Sequence, residues 1–448
     1  MGKPKRFFPV AFLPATAVSL VFLTAMPLPA RAQSAPEAIT PIEHFVVVMQ
    51  ENHTFDNYFG TYPGADGLPP EVCMPVNPRD PSDERCIRPF HSTGPSEDLD
   101  HSITTFETQY NKGRLDGFVY ALNLRNQNGR MSMRYYDDRD LPYYWNLVDD
   151  YVVFDRFFSS DKGGSLSNHL FWVAARGVVD SSVPPTGYND IPTIFDALQA
   201  AGVSWKFYVQ NYDPDITFRT PPDSEDADRI SQVVWCPLLA MPRFVDDPTL
   251  SSHIVDLDEY YEDLRSNTLP AVSYIIPSGA SEHPPGSIRA GQRFISGLIH
   301  ALMQSDAWES SAFLVTYDDW GGWYDHVPPP QVDPFGYGFR VPAFLVSSYA
   351  RQGHIDSTVM DFSSIPRFIE ENWGLEPIAE RDASANTFML AFDFERPPRP
   401  PQFISHERGE SRRPAPSRTV IYVSYSAAVF FAATIFIAPH LVRRRPRR

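Results

Sequence analysis

Between about residue 40 and residue 395 the chain alternates short, continuously apolar runs with longer stretches of helical periodicity. The apolar runs are HFVVVM (44–49), YVVFDRFF (151–158), VSWKFYV (203–209), AVSYII (271–276), AFLVTY (312–317) and VPAFLVSS (341–348). They lack the strict apolar–polar alternation of a half-exposed strand, so they predict strands covered on both faces. Helices are predicted from Ser167 to Arg176 and over 192–202, 253–266 and 289–305. Strands alternating with helices of this length predict an α/β fold, a three-layer α/β/α sandwich around a largely parallel central sheet. No internal repeat or linker interrupts this region, and one domain is expected over 33–396.

The two ends have a different pattern. Residues 1–32 place Lys3, Lys5 and Arg6 before an apolar stretch that closes on Ala30-Arg31-Ala32, the layout of an export signal. An uncleaved N-terminal anchor shares that outline. At the other end, residues 397–418 are polar and rich in Pro and Arg, and read as an extended linker. Residues 419–442 then predict a transmembrane helix, with a basic tail at 443–448 on the cytoplasmic side. A sorting signal removed after export has the same shape. Together the ends predict an exported domain held at the cell surface by its C-terminus.

Composition sharpens this in two ways. The 448 residues are 43% hydrophobic and 14% aromatic, enough for one large core. The formal charge of −17 understates the acidity of the exported part. Four positive charges precede residue 33 and five follow residue 442, which leaves −26 between them. A field of that sign repels a phosphate backbone, so a nucleic-acid partner is excluded. Cys73 and Cys86 bracket a Pro-rich loop with little else to hold it, and a disulfide there suits an oxidising compartment. Cys236 is left over as a buried thiol. Nothing in the sequence speaks to oligomeric state.

Candidate chemistry lies where apolar runs end, because ligands of open α/β sheets sit beyond the carboxyl ends of the strands. The first run ends in Glu51-Asn52 and the fifth in Asp318-Asp319. A bare cluster of carboxylates repels itself, and a divalent cation removes that conflict. These oxygen donors suit a hard or borderline cation, so Glu51, Asn52, Asp318 and Asp319 are the expected metal ligands. An acidic pair after a strand also serves as a turn or helix cap. The second run leads into SSDKGGSLSNHLFWVAARG, where Gly163 and Gly164 permit a tight turn and a helix follows. Ser165 stands at that helix N-terminus, where backbone N–H groups favour an anion, and Asn168 lies in reach of the same phosphate. Ser165 or Ser167 acting only as an N-cap is the competing reading. His101, His169, His283 and His326 lie in polar, turn-like contexts suited to binding phosphoryl oxygens or protonating a leaving group.

These segments match a known pattern. ENHTFDNYFG resembles the E-N-x-[ST]-F-D-x-x-F-G signature of the bacterial phosphoesterase family that contains phospholipases C and a group of acid phosphatases. LDHS with NKGRLDGFV, GGSLSNH, NTLPAVSYIIPSGASEHPP and TYDDWGGWYDHVPPP follow in the family's order, over roughly residues 40–395. The resemblance implies an alkaline-phosphatase-like fold and a divalent metal held by Glu51, Asn52, Asp318 and Asp319. It also implies Ser165 as nucleophile, with Asn168, His101, His283 and His326 at the phosphoryl group or the leaving oxygen. Many phospholipase-type members read G-P-[ST]-x-P-N-R at the nucleophile and Asp-Glu at the second ligand pair. The departures seen here retain the chemical groups and lean toward the acid-phosphatase branch.

The expected activity is therefore metal-dependent hydrolysis of phosphate esters through a phosphoseryl intermediate, of phospholipase C type. Soluble phosphomonoesters are the alternative substrates. A surface protein that keeps the fold without catalysis is the alternative of another class.

Overall fold

The computed structural model describes residues 1–2, 36–94, 97–179, 182–221 and 231–408. One compact unit begins at Pro36. The expected export signal at 1–32 lies outside the described residues except for Met1 and Gly2, and the expected tail at 443–448 lies outside them entirely.

The first strands are β1 (His44–Gln50), β2 (Met74–Pro75), β3 (Cys86–Ile87), β4 (Phe90–His91), β5 (Arg134–Tyr135) and β6 (Val152–Phe154). After them come β7 (Trp205–Val209), β8 (Ile254–Asp256), β9 (Val272–Ile276), β10 (Ser311–Tyr317), β11 (Ala343–Ser347) and β12 (His354–Asp356). Eight of them form one sheet in the order β12-β6-β11-β10-β1-β9-β7-β8. Its neighbours are parallel except on both sides of β11, which runs against β10 and β6. The expected, largely parallel sheet is thus present, with one reversed strand.

Side-chain parity separates the two faces. Phe45 and Val47 point one way, and Val47 pairs with Tyr274. Phe45 packs on Phe368 with tilted rings 4.7 Å apart, and Tyr274 meets Trp172 and Phe195. Helices Ser165–Ala174, Ile194–Ala201 and Ser364–Trp373 therefore cover this face. On the other face Tyr208 packs on Tyr260, and Phe344 on Tyr144. Helices Asp258–Ser266 and Pro142–Asp150 carry those partners, and the Tyr260 hydroxyl donates to the Leu298 carbonyl of Ile288–Met303 at 3.3 Å. Strands β1, β9, β10 and β11 are buried almost throughout, which explains their unbroken apolar sequences.

Two smaller features were foreseen in part. A disulfide joins Cys73 to Cys86, pinning the β2–β3 ladder, and Cys236 is a buried free thiol. Strand β8 takes up the start of the helix expected over 253–266, which begins only at Asp258, and β12, three residues long, was not expected because so short an element carries no periodic signal.

The C-terminal expectations need correction. Among the described residues no helix is long and apolar enough to cross a membrane. The longest of them, Ile288–Met303, has 16 residues, about 24 Å at about 1.5 Å per residue, and carries Arg289 and Arg293 on an exposed side. A span needs about 30 Å of apolar helix. The transmembrane helix expected at 419–442 lies outside the described residues, and the membrane anchoring and surface localisation drawn from it are withdrawn. The linker expected from residue 397 is, in its described part, packed on the domain. Arg399 exchanges hydrogen bonds with Ser348, Trp308 and Asp150, Ile404 is buried, and Arg408 pairs with Asp149 at 2.7 Å. Pro-rich composition here marks an extended strap tied down by its arginines.

Candidate active site

Register builds the site. Gln50 pairs with Tyr317, so the next residues, Glu51 and Asp318, emerge side by side from adjacent parallel strands. The ladder continues one step beyond each strand: Asp318 N donates to Gln50 O at 2.9 Å, and Glu51 N to Ser281 O at 2.9 Å. Segments after β1, β9 and β10 thus meet at one edge, where strand ends of a parallel sheet place ligands. Asn52 turns there with φ 65 and Glu282 with φ 66, two left-handed residues without the freedom of glycine. Gly321, at φ 56, approaches so closely that a Cβ would collide with the Asn52 carbonyl oxygen.

Acidic groups are concentrated and dry. Glu51 is 3% exposed, and Asn52, Asp318 and Asp319 are fully buried. Asp318 Oδ1 accepts from Asn52 N at 3.0 Å and from Asp319 N at 2.7 Å. Asp319 Oδ1 accepts from Gly321 N at 2.8 Å. Burial, followed by the Asp318 charge, holds the Glu51 carboxyl well above its ordinary range and pushes Asp319 up to about 7. Burial also works against ionised Asp318, but the adjacent His169, Ser165 and the Asn52 amide outweigh it and hold that carboxyl down.

Ser165 is the first residue of helix Ser165–Ala174, and Gly164 is its N-cap, so the serine does not cap the helix. Its Oγ donates to Asp319 Oδ2 at 3.5 Å. Ser167 is committed elsewhere, to the Asp161 carboxylate and Val178 N. Asn168 is buried within its own loop. Its Oδ1 accepts from Ser160 N and Asp161 N at 3.1 and 2.9 Å, and its Nδ2 donates to Gly163 O at 3.0 Å. Both ends of that amide hold the loop carrying Ser165.

The histidines separate. His101 Nδ1 donates to Leu99 O at 2.7 Å, which leaves Nε2 beside Asn52 Nδ2 at 3.4 Å. Burial disfavours the imidazolium of His101, but Asp319 and the Leu99 carbonyl outweigh it and raise its pKa. His283 Nδ1 likewise donates to Pro284 O at 2.7 Å, and the two rings stand 6.2 Å apart. Asp98, His101 and His283 bring potential ligand atoms within 4.8 Å of one another. His326 is not brought to this group. Its Nδ1 lies 2.7 Å from Asp56 and its Nε2 3.2 Å from Asp66, inside a network around the fully buried Arg340. Arg340 itself pairs with Asp56 and Asp325 at 2.9 and 2.8 Å.

His169, offered by the sequence as a histidine for phosphoryl oxygens or a leaving group, and Glu282 complete the surroundings of this group. His169 is fully buried with Nε2 3.6 Å from Asp318 Oδ2. Its spacing from Ser165, one helical turn, sets both side chains on the same helix face. Glu282 lies beneath His283 and accepts from Tyr58, Tyr144 and Tyr317 at 2.5, 2.5 and 2.8 Å. His53, the imidazole of the first apolar run's ending, is also structural, stacked on Tyr58 and Trp323 with Nδ1 on Asn57 at 2.7 Å.

The donors fit a cation. Among the described residues, nothing hydrogen-bonds Asn52 Oδ1, Asp318 Oδ2 or either ring nitrogen of His169, though all are buried. Unpaired buried acceptors are costly, and several converging on one carboxylate pair match the donor set of a divalent ion.

Comparison with known proteins agrees with the motifs. The model of the Phosphoesterase family matches residues 42–376. Phospholipase C B of Mycobacterium tuberculosis is 30% identical, covering 88% of this chain and 86% of its own. Non-specific phospholipase C1 of Arabidopsis thaliana is 28% identical over 80% of this chain and 72% of its own. A crystal structure of a protein in the alkaline phosphatase superfamily from Vibrio parahaemolyticus aligns at 12% identity with a TM-score of 0.36, covering 80% of this chain and 74% of that one. No residue is carried over from that loose structural likeness. The family match spans the sheet edge, Ser165 and the histidines, and the chain belongs to the Phosphoesterase family.

Proposed function

We propose that this protein is a phosphoric ester hydrolase of phospholipase C type that uses Ser165 as its nucleophile and a divalent cation as its cofactor. The observation that carries this reading is Ser165 Oγ at a helix N-terminus, 3.5 Å from Asp319 and beside buried Asp318 and Asn52. Similarity to phospholipases C over most of the chain supports the substrate class.

Glu51, Asn52, Asp318 and Asp319 would hold the cation, which supplies positive charge against the phosphoryl oxygens and lowers the proton affinity of a nearby hydroxyl. The first N–H groups of the Ser165 helix face an incoming phosphate, and Asn168 keeps their loop in place. Ser165 Oγ passes its proton to Asp319 Oδ2 and forms a bond to phosphorus while the ester oxygen leaves, taking a proton from an imidazole Nε2. His101 and His283 suit that task because their Nδ1–H groups are fixed on backbone carbonyls. Water then attacks the phosphoseryl group and returns a proton to the imidazole, and Ser165 Oγ leaves phosphorus and takes back its proton from Asp319.

The test uses the purified full chain with phosphatidylcholine vesicles, a chromogenic choline phosphodiester and a chromogenic phosphomonoester. Release of phosphocholine, with phosphate trapped on the Ser165 peptide after acid quench, is the expected result. Turnover of the monoester alone would replace the lipase reading with an acid phosphatase. An active Ser165→Ala variant would sink the nucleophile assignment.

A further inference from the structure

Ser165 and His169 occupy one face of the same helix, four residues apart, so both side chains descend onto the Asp318-Asp319 pair. The hydroxyl meets Asp319 and the imidazole meets Asp318. His169 is fully buried, and among the described residues neither of its ring nitrogens has a hydrogen-bond partner. A buried imidazole is ordinarily fixed by at least one hydrogen bond, because stranding both nitrogens costs about 1–3 kcal/mol per group. Trp172 offers only a ring edge, with centroids 6.0 Å apart.

The group in front of His169 is equally short of partners. Asp318 Oδ1 is saturated by two backbone N–H groups, while Oδ2 has none among the described residues and faces His169 Nε2 across 3.6 Å. That separation is too long for a hydrogen bond. It is close to the spacing of two donors sharing one metal ion, since ligands at about 2.1 Å on a tetrahedral centre lie about 3.4 Å apart. Asn52 Oδ1, also buried without a partner among the described residues, completes a mixed set.

Resting on the functional reading above, we propose that His169 is a nitrogen ligand of the catalytic cation, which makes the site selective for a first-row transition ion over calcium or magnesium. Alkaline-earth ions take oxygen donors, whereas imidazole suits zinc, copper, iron and nickel. Tight burial of the ring excludes its use as a proton carrier to solvent and leaves ligation as its role.

The experiment loads the purified full chain with Mn²⁺ and measures affinity by calorimetry and ¹⁴N hyperfine coupling by pulsed electron paramagnetic resonance. Wild type, His169→Asn and Asp318→Asn are compared, with circular dichroism confirming the fold of each. The proposal expects a histidine nitrogen coupling in wild type, its loss in H169N, and at least about tenfold weaker binding in that variant. Wild-type Mn²⁺ binding without nitrogen coupling overturns it, and so does coupling that persists in H169N. Both of those results leave the cation site standing if D318N abolishes binding. No binding by wild type would instead overturn the cation reading itself, and this inference with it.

Discussion

Ser165 Oγ and Asp319 Oδ2 lie 3.5 Å apart, joining the start of one helix to the end of the central parallel strand β10. The contact brings together two segments more than 150 residues apart in the chain. Ser165→Ala should lower kcat by about 10⁴-fold or more, as removal of a nucleophile does in other enzymes, while leaving the melting temperature unchanged. Steady-state kinetics and a thermal melt on the same preparation check both halves.

Chelation should silence turnover. If the proposed cation neutralises the buried Glu51, Asp318 and Asp319 carboxyls, stripping it should also lower thermal stability. Activity and melting temperature should return together on adding back divalent ions one at a time. Full activity in metal-free protein, verified by elemental analysis, would refute the cofactor.

Glu282 should give stability a distinctive pH dependence. Burial pushes its carboxyl up to about 7, against three opposing tyrosine hydroxyls, from an ordinary value of 4.5. The folded state therefore binds more protons than the unfolded chain between those values. Stability from this group is fully present below about pH 4.5 and declines as pH rises through 7, by about 3 kcal/mol in all. Glu282→Gln should remove that decline, which urea melts of both proteins at several pH values would reveal. Parallel curves would refute the shift.

Arg340 should be the most sensitive structural position. It is fully buried between Asp56 and Asp325, and its removal strands two carboxylates. Arg340→Ala should cost about 3–5 kcal/mol. Denaturant unfolding measures it, and a loss under about 1 kcal/mol would show the network to be solvated.

The sequence was most legible where function and topology coincide. Glu51, Asn52, Asp318 and Asp319 follow directly on apolar runs, and those runs proved to be adjacent parallel strands. Ser165 could be read from its glycines, although the choice between Ser165 and Ser167 needed the Asp161 contact that occupies the latter. His326 sits among Asp56, Asp66 and Arg340, partners that only the folding of the loop supplies. The backbone groups of residues 160–164 that hold the Asn168 amide were likewise not legible in the sequence. The reversal of β11 left no trace in its apolar run, because a strand buried on both faces looks alike in either direction.

That reversal has a practical outcome. In the β10–β11 pair Thr316 lies opposite Ala343, so residues 318–342 leave and rejoin the sheet at the same edge. The excursion carries Asp318 and Asp319 at its root, while residues 331–334 at its far end are exposed. A hairpin-like connection of this kind needs no crossover, and lengthening a loop raises its closure entropy only slowly. Its tip is therefore a place where natural variation or an engineer can graft new sequence while Asp318 and Asp319 stay anchored at the strand end.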